Sequence, residues 1–180
     1  MKVLSKIGNF ILPLICLIIV TTAVYKVTEH RFAELKQDTY SFNYATAAER
    51  DRQLTCLARN IYFESANEPF EGKVGVAQVT LNRARSGQFP ADICGVVYQK
   101  NKFLEKTVCQ FSWYCNKPST LQVRSPHHYR ESMEVAKKVL LEGFRLESLN
   151  DAIYYHADYV HPGWKKQRIT QIGRHIFYKG

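Results

Sequence analysis

The sequence predicts a mainly α fold of the α+β class: a small helical domain with a β-hairpin near its end, preceded by an N-terminal transmembrane helix. Three observations predict it. Residues 7–25 contain no charged side chain, the region from residue 52 to 85 repeats apolar residues at helical spacing, and the tail turns rich in Ile, Tyr and Phe around turn-forming residues. Of 180 residues, 46% are hydrophobic and 23% charged, which is globular composition and excludes a wholly disordered chain.

As a helix, residues 7–25 reach roughly 28 Å, close to the apolar thickness of a bilayer. Lys2 and Lys6 precede the stretch and place the N-terminus in the cytoplasm. A retained anchor over residues 1–25 is favoured over a cleaved signal peptide, although Thr21-Thr22-Ala23 is a passable cleavage site. Residues 26–50 are polar and read as a linker or stalk. The folded domain is expected over residues 51–180, outside the membrane and in the periplasm.

Cysteine usage agrees with an oxidising compartment. Cys16 lies in the apolar stretch, and the domain holds Cys56, Cys94, Cys109 and Cys115. Three pairings are possible. Cys109 and Cys115 bracket a short loop, so these two are paired, and Cys56 with Cys94. The formal net charge of +9 favours anionic partners. No run of five basic residues and no zinc-finger or RNA-binding spacing occurs, so nucleic acid is not an expected partner.

Within the domain, residues 52–66 place Leu54, Leu57, Ala58, Ile61 and Ser65 on one helical face, with Glu64 at the edge of that stripe. Asn67 is suited to a left-handed helix end, and Pro69 to opening the next element. A second helix is expected over 70–85, with Val74, Ala77, Gln78, Leu81 and Ala84 on its inner face. A short third is expected over 90–98, and a loop-rich stretch over 101–123. A fourth helix over 126–142 has Ser125 as its N-cap, Gly143 as its stop, and Tyr129, Met133, Ala136 and Leu140 facing inward. Residues 152–156 and 169–178 form the hairpin, turning at His161-Pro162-Gly163.

Glu64 is the candidate for chemistry. A carboxyl near the buried face at a helix C-terminus is partly desolvated, which raises its pKa and lets it hold a donatable proton near neutrality. The stretch Leu57-Ala58-Arg59-Asn60-Ile61-Tyr62-Phe63-Glu64-Ser65-Ala66-Asn67-Glu68-Pro69-Phe70-Glu71-Gly72 resembles the opening motif of the cell wall hydrolase family that includes the spore cortex-lytic enzymes. The resemblance continues through Val76-Ala77-Gln78-Val79-Thr80-Leu81-Asn82-Arg83, Ile93-Cys94-Gly95-Val96-Val97-Tyr98 and Gln110-Phe111-Ser112-Trp113. It closes with Tyr154-Tyr155-His156-Ala157 and Gln171-Ile172-Gly173-Arg174-His175-Ile176-Phe177-Tyr178.

The resemblance implies a lysozyme-like fold and cleavage of peptidoglycan, with lytic transglycosylase chemistry in the spore enzymes. It makes the Glu of the Tyr-x-Glu motif, here Glu64, the catalytic residue. Tyr62, Gln110, Phe111, Ser112, Trp113, Tyr155, His156 and His175 are the candidate substrate-binding residues. Two departures stand out: Ser65-Ala66-Asn67 replaces the usual Ala-Arg-Gly, and Arg174 stands where the family usually has Asn.

Transglycosylation needs one carboxyl, acting as acid and then as base, whereas hydrolysis normally uses a second. Glu68, Glu71, Asp151 and Asp158 are available by type. Two other readings compete. A zinc amidase could draw on His127, His128, His156, His161 and His175, but His127 and His128 are adjacent and expected to point apart, and no His-Glu-x-x-His occurs. A non-catalytic peptidoglycan-binding module would have no use for Glu64. No metal or cofactor is expected.

Overall fold

The computed structural model describes residues 15–29, 44–115 and 121–180, and the chain divides into two compact units, residues 1–42 and 43–180. In the first unit, residues 15–29 form helix α1, exposed along its whole length. Its threonines turn inward on their own backbone, Thr22 donating to the Ile18 carbonyl at 2.9 Å and Thr28 to that of Val24 at 3.0 Å. The expected spanning helix over 7–25 thus overlaps α1 only from residue 15, and the rest of it lies outside the described residues. Among the described residues, no helix is long and apolar enough to cross a membrane.

The second unit opens earlier than the sequence suggests. Helix α2 runs Ala47–Ser65, capped by Thr46, whose hydroxyl accepts from the Glu49 amide at 3.1 Å. The expected stripe of Leu54, Leu57, Ala58, Ile61 and Ser65 is buried. The chain leaves α2 without a left-handed residue at Asn67: among the described non-glycine residues, only Leu104 has positive φ. Ala66 and the following turn stay in ordinary backbone, with Glu68 N donating to Ser65 O.

Helix α3, Phe70–Arg85, is buried continuously from Gly72 to Ala84, because α2, the short helix α4 (Ile93–Val97), helix α5 (Pro126–Leu140) and strand β3 (Ala152–Ala157) all lie against it. Its polar residues bind backbone. Gln78 exchanges two hydrogen bonds with Leu146, at 2.9 and 3.1 Å. Asn82 donates to the carbonyls of Leu149, Asn150 and Ala152 at 2.8–3.1 Å. These bonds fix where β3 starts and therefore where Tyr154, Tyr155 and His156 stand. Gly75 lets the sheet approach: a Cβ there would lie 2.6 Å from Phe177 Cζ. Val79, Leu149, Ala152 and Phe177 form the core at this joint.

The stretch expected as loop contains an antiparallel hairpin, β1 (Lys100–Phe103) and β2 (Lys106–Cys109), followed by a short 3₁₀ turn, Ser112–Cys115. Helix α5 keeps its Ser125 cap, but its buried residues are Ser132, Val135, Ala136, Val139 and Leu140. Its inner face is therefore rotated from the expected one, with Tyr129 and Met133 at the margin. The tail is a three-stranded sheet rather than one hairpin. β4 (Arg168–Ile172) and β5 (His175–Lys179) join through a tight turn at Gly173, φ 55°, and β5 pairs with β3 on its other side. The His161-Pro162-Gly163 segment lies in the longer connection between β3 and β4. Both expected disulfides, Cys56–Cys94 and Cys109–Cys115, are formed.

Candidate active site

Glu64 stands in the last turn of α2, half-buried on the floor of a cleft of about 540 Å³. One wall comes from Gln110, Phe111 and Ser112, held by the Cys109–Cys115 bridge, and the other from the sheet, through Tyr154, Tyr155, His156 and His175. Trp164 closes the far end, its ring 5.9–6.1 Å from those of Tyr154, His156 and Tyr178. Glu64 is the sole carboxylate lining this cleft among the described residues.

Burial pushes the Glu64 carboxyl above its ordinary pKa, and two neighbours oppose the rise. The Tyr155 hydroxyl donates to Glu64 Oε2 at 2.9 Å, and the positive charge of Arg83 acts from α3. Tyr155 is itself pushed well above the usual phenol range, first by burial and then by the Glu64 charge, so it remains a donor.

Arg83 is 4% exposed, and its Nε donates to the Ile153 carbonyl at 2.8 Å. Rings of Phe89 and Phe111 lie 5.2 Å from its guanidinium carbon, and Tyr155 lies at 5.8 Å. Sequence reasoning gave Arg83 no role. No sequence signal marks it, because its burial comes from the elements packed around α3.

The remaining candidates divide. Gln110, Phe111, Ser112, Tyr155, His156 and His175 line the cleft. Phe111 is only 3% exposed and lies under Arg83. His156 places Nδ1 2.8 Å from the Ala157 carbonyl and Nε2 2.8 Å from the Tyr178 hydroxyl. A carbonyl can only accept, so Nδ1 carries the hydrogen. His175 is 5% exposed, its Nδ1 has no partner among the described residues, and burial pulls its pKa down.

Trp113 does not reach the cleft. It is 6% exposed, stacks on Phe63 at 4.5 Å, and donates from Nε1 to Asn60 Oδ1 at 3.1 Å, because the disulfide turns it inward. Tyr62 borders an adjoining hollow of about 270 Å³. Its hydroxyl accepts from the amides of Arg124 and Ser125, both at 3.1 Å, and so anchors the start of α5.

The other carboxylates named from the sequence are engaged or remote. Glu68 accepts from the Arg174 amide at 2.9 Å, Asp158 pairs with the Arg174 guanidinium at 3.2 Å, Asp151 pairs with Lys179 at 3.0 Å, and Glu71 is exposed. Of the histidines, His127 and His128 do not point apart. Their rings are 5.7 Å apart, and their nitrogens converge with a Glu131 oxygen to within 4.8 Å. Glu131 already binds Lys73 at 3.0 Å, which holds its carboxyl below the usual range. A cavity of about 860 Å³ bounded by Phe70, Lys73, His127, Glu131 and Met133 therefore offers an ionised acid paired to a lysine, not a proton donor.

Fold and cleft together define a class: a small helical domain whose aromatic-walled cleft presents one half-buried carboxylic acid. A family profile described as Cell Wall Hydrolase matches residues 67–178, a span that opens three residues after Glu64. The chain belongs to this cell wall hydrolase family. It is 30% identical over 136 residues to a spore cortex-lytic enzyme of Oceanobacillus iheyensis, covering 73% of this chain and 42% of that protein. It is 27% identical over 146 residues to the spore cortex-lytic enzyme of Bacillus subtilis, covering 79% of this chain and 42% of that protein. The chain thus spans less than half the length of these relatives. The crystal structure of the catalytic domain of the Bacillus cereus SleB protein superposes with a TM-score of 0.54 at 23% identity, covering 79% of this chain and 97% of that one. The catalytic domain of a germination-specific lytic transglycosylase, SleB from Bacillus anthracis, gives a TM-score of 0.54 at 26% identity, covering 79% and 98%.

Proposed function

We propose that this protein cleaves the glycan strands of peptidoglycan as a lytic transglycosylase, with Glu64 as general acid and then general base. The observation that carries the reading is the half-buried Glu64 carboxyl, with Oε2 bound by Tyr155 on the floor of an aromatic-walled cleft. With Oε2 accepting from the phenol, the transferable proton sits on Oε1. That proton passes to the glycosidic oxygen, and the bond from the anomeric carbon breaks with its electron pair on the leaving sugar. The carboxylate then takes the proton of the same sugar's 6-hydroxyl, whose oxygen closes on the anomeric carbon as a 1,6-anhydro ring. Glu64 ends protonated, as it began. Hydrolysis would want a second carboxylate across the bond, and the nearby candidates, Glu68 and Asp158, are held by Arg174. Sugar rings stack on aromatic faces, a role suited to Trp164 and Tyr154, while Gln110 and Ser112 offer hydrogen bonds.

The same reading places the domain on the outer side of the cytoplasmic membrane, tethered by the uncharged stretch that runs from residue 7 into α1. The two disulfides suit that compartment. Alkaline-carbonate extraction of membranes tests the tether: recovery of the chain in the soluble fraction would exclude it.

The activity is tested by mass spectrometry of fragments released from purified peptidoglycan by the full chain and by Glu64→Gln. Fragments with 1,6-anhydro ends, lost in the variant, are expected. Reducing ends would mean a hydrolase, and freed stem peptides an amidase.

A further inference from the structure

An arginine buried in a helix demands a reason, because a cation out of water carries a large desolvation cost unless something compensates it. Among the described residues, Arg83 has no carboxylate within hydrogen-bond or ion-pair distance. Its Nε binds a backbone carbonyl, and its Nη1 is buried with no hydrogen-bond partner among the described residues. Three aromatic rings around it tolerate the charge through their electron-rich faces without neutralising it. The acid bounding the same cleft is Glu64.

We propose that Arg83 is a positioning residue for Glu64: a fixed buried cation, locked by the Ile153 carbonyl and the rings of Phe89, Phe111 and Tyr155, that favours the ionised carboxylate after Glu64 has given up its proton. This rests on the acid-then-base reading above. Such a residue needs both protonation states within reach. Burial alone favours the neutral acid, so the carboxylate left after the first step would be costly to hold in the cleft. A direct ion pair would err the other way and keep Glu64 ionised, with no proton to give. A cation near the carboxyl but bound elsewhere gives the intermediate balance. The other groups facing Glu64 fit this division. Tyr155 donates from β3, His175 on β5 is kept neutral by burial, and on the adjoining side the Glu68 carboxylate is bound by the turn carrying Arg174.

The test uses the full chain with carbon-13 at its glutamate carboxyls, the Glu64 signal being assigned by its loss in Glu64→Gln. Its titration is followed in the wild type and in Arg83→Met, Arg83→Gln and Arg83→Lys, beside the pH dependence of kcat/KM for release of soluble glycan fragments. In the two neutral variants the Glu64 midpoint is expected to rise by about one unit, a tenfold gain in proton affinity, and in Arg83→Lys to stay near the wild-type value. The alkaline limb of kcat/KM should move with it. Arg83→Gln keeps a polar tip for the Ile153 carbonyl, so the neutral case survives if Arg83→Met does not fold. A neutral variant that melts normally in urea and leaves the midpoint or the limb unmoved overturns the proposal. The carboxyl titration does not depend on catalysis by Glu64. Failure of the acid–base reading would show separately, as undiminished cleavage by Glu64→Gln.

Discussion

The Tyr155 hydroxyl donates to Glu64 Oε2 at 2.9 Å across ninety-one residues of sequence, joining β3, an edge strand of the sheet, to the last turn of α2. A hydrogen bond to an ionised group contributes roughly 1.5–3 kcal/mol, which corresponds to about a tenfold to a hundredfold effect on rate if it is lost where charge develops. Tyr155→Phe should therefore lower kcat/KM by that factor while leaving the fold intact. The bond favours the carboxylate, so its loss raises the Glu64 pKa further. Activity that needs protonated Glu64 falls as pH rises through that pKa, and the alkaline limb should move to higher pH in the variant. An unchanged rate and an unmoved limb would remove Tyr155 from the mechanism.

His175 should make the fold sensitive to mild acid. Burial lowers its pKa in the folded chain below the ordinary 6.5, against the smaller opposing pull of Glu68 and Asp158. Below about 6.5 the unfolded chain binds the proton first, so stability falls as pH drops, until the folded midpoint is passed. His175→Gln removes that titrating group. The difference between urea midpoints at about pH 7.5 and about pH 5 should shrink in the variant. An undiminished difference would mean that His175 is protonated in the fold.

Where punctuation and periodicity coincide, the sequence was legible. Pro69 and Ser86-Gly87 bracket α3, Ser125 and Gly143 bracket α5, and the buried face of α2 follows its apolar stripe. The β1–β2 hairpin left no such trace, because β2 exposes Lys106, Thr107 and Val108 in succession and so shows no alternation. The split of the tail into two strands turns on Gly173. A Cβ there would fall 1.9 Å from Glu68 Oε2, a contact made by residues more than a hundred apart. The sequence segments that line the cleft, the end of α2 with Glu64 and the aromatic stretches around Phe111 and Tyr155, were legible, but not which way each ring faces. Phe111 and Trp113 are two residues apart and of similar chemistry, yet one lines the cleft and the other stacks on Phe63. Arg83 was hidden for a related reason: a charged residue in a helix is ordinarily solvated, and only the elements packed around α3 reveal that this one is not.

Trp113 gives that difference a measurement. Its indole donates to Asn60 Oδ1, and Asn60 in turn donates to Thr80 Oγ1 at 3.1 Å, a buried chain linking the Cys109–Cys115 loop to α2 and α3. Trp113→Phe keeps an aromatic ring against Phe63 but leaves the Asn60 oxygen unpaired, at a cost of about 1–3 kcal/mol. The urea midpoint should fall while kcat and KM per folded molecule stay at wild-type values. A raised KM at undiminished stability would put Trp113 back among the substrate contacts.

The two disulfides should separate stability from activity. Cys56–Cys94 closes a sequence separation of 38, and Cys109–Cys115 one of 6. By loop entropy the first contributes about 4 kcal/mol and the second about 2 kcal/mol. Their positions reverse that order for function. Cys56 and Cys94 tie α2 to α4 away from the cleft lining, whereas the shorter bridge holds Gln110, Phe111 and Ser112 against the space above Glu64. Cys56→Ser with Cys94→Ser should lower the urea midpoint more, with little effect on kcat/KM of the folded fraction. Cys109→Ser with Cys115→Ser should cost less stability yet raise KM, because the wall it frees no longer stands in place before substrate arrives. If the short-bridge variant binds and cleaves peptidoglycan as the wild type does, that loop is not part of the site.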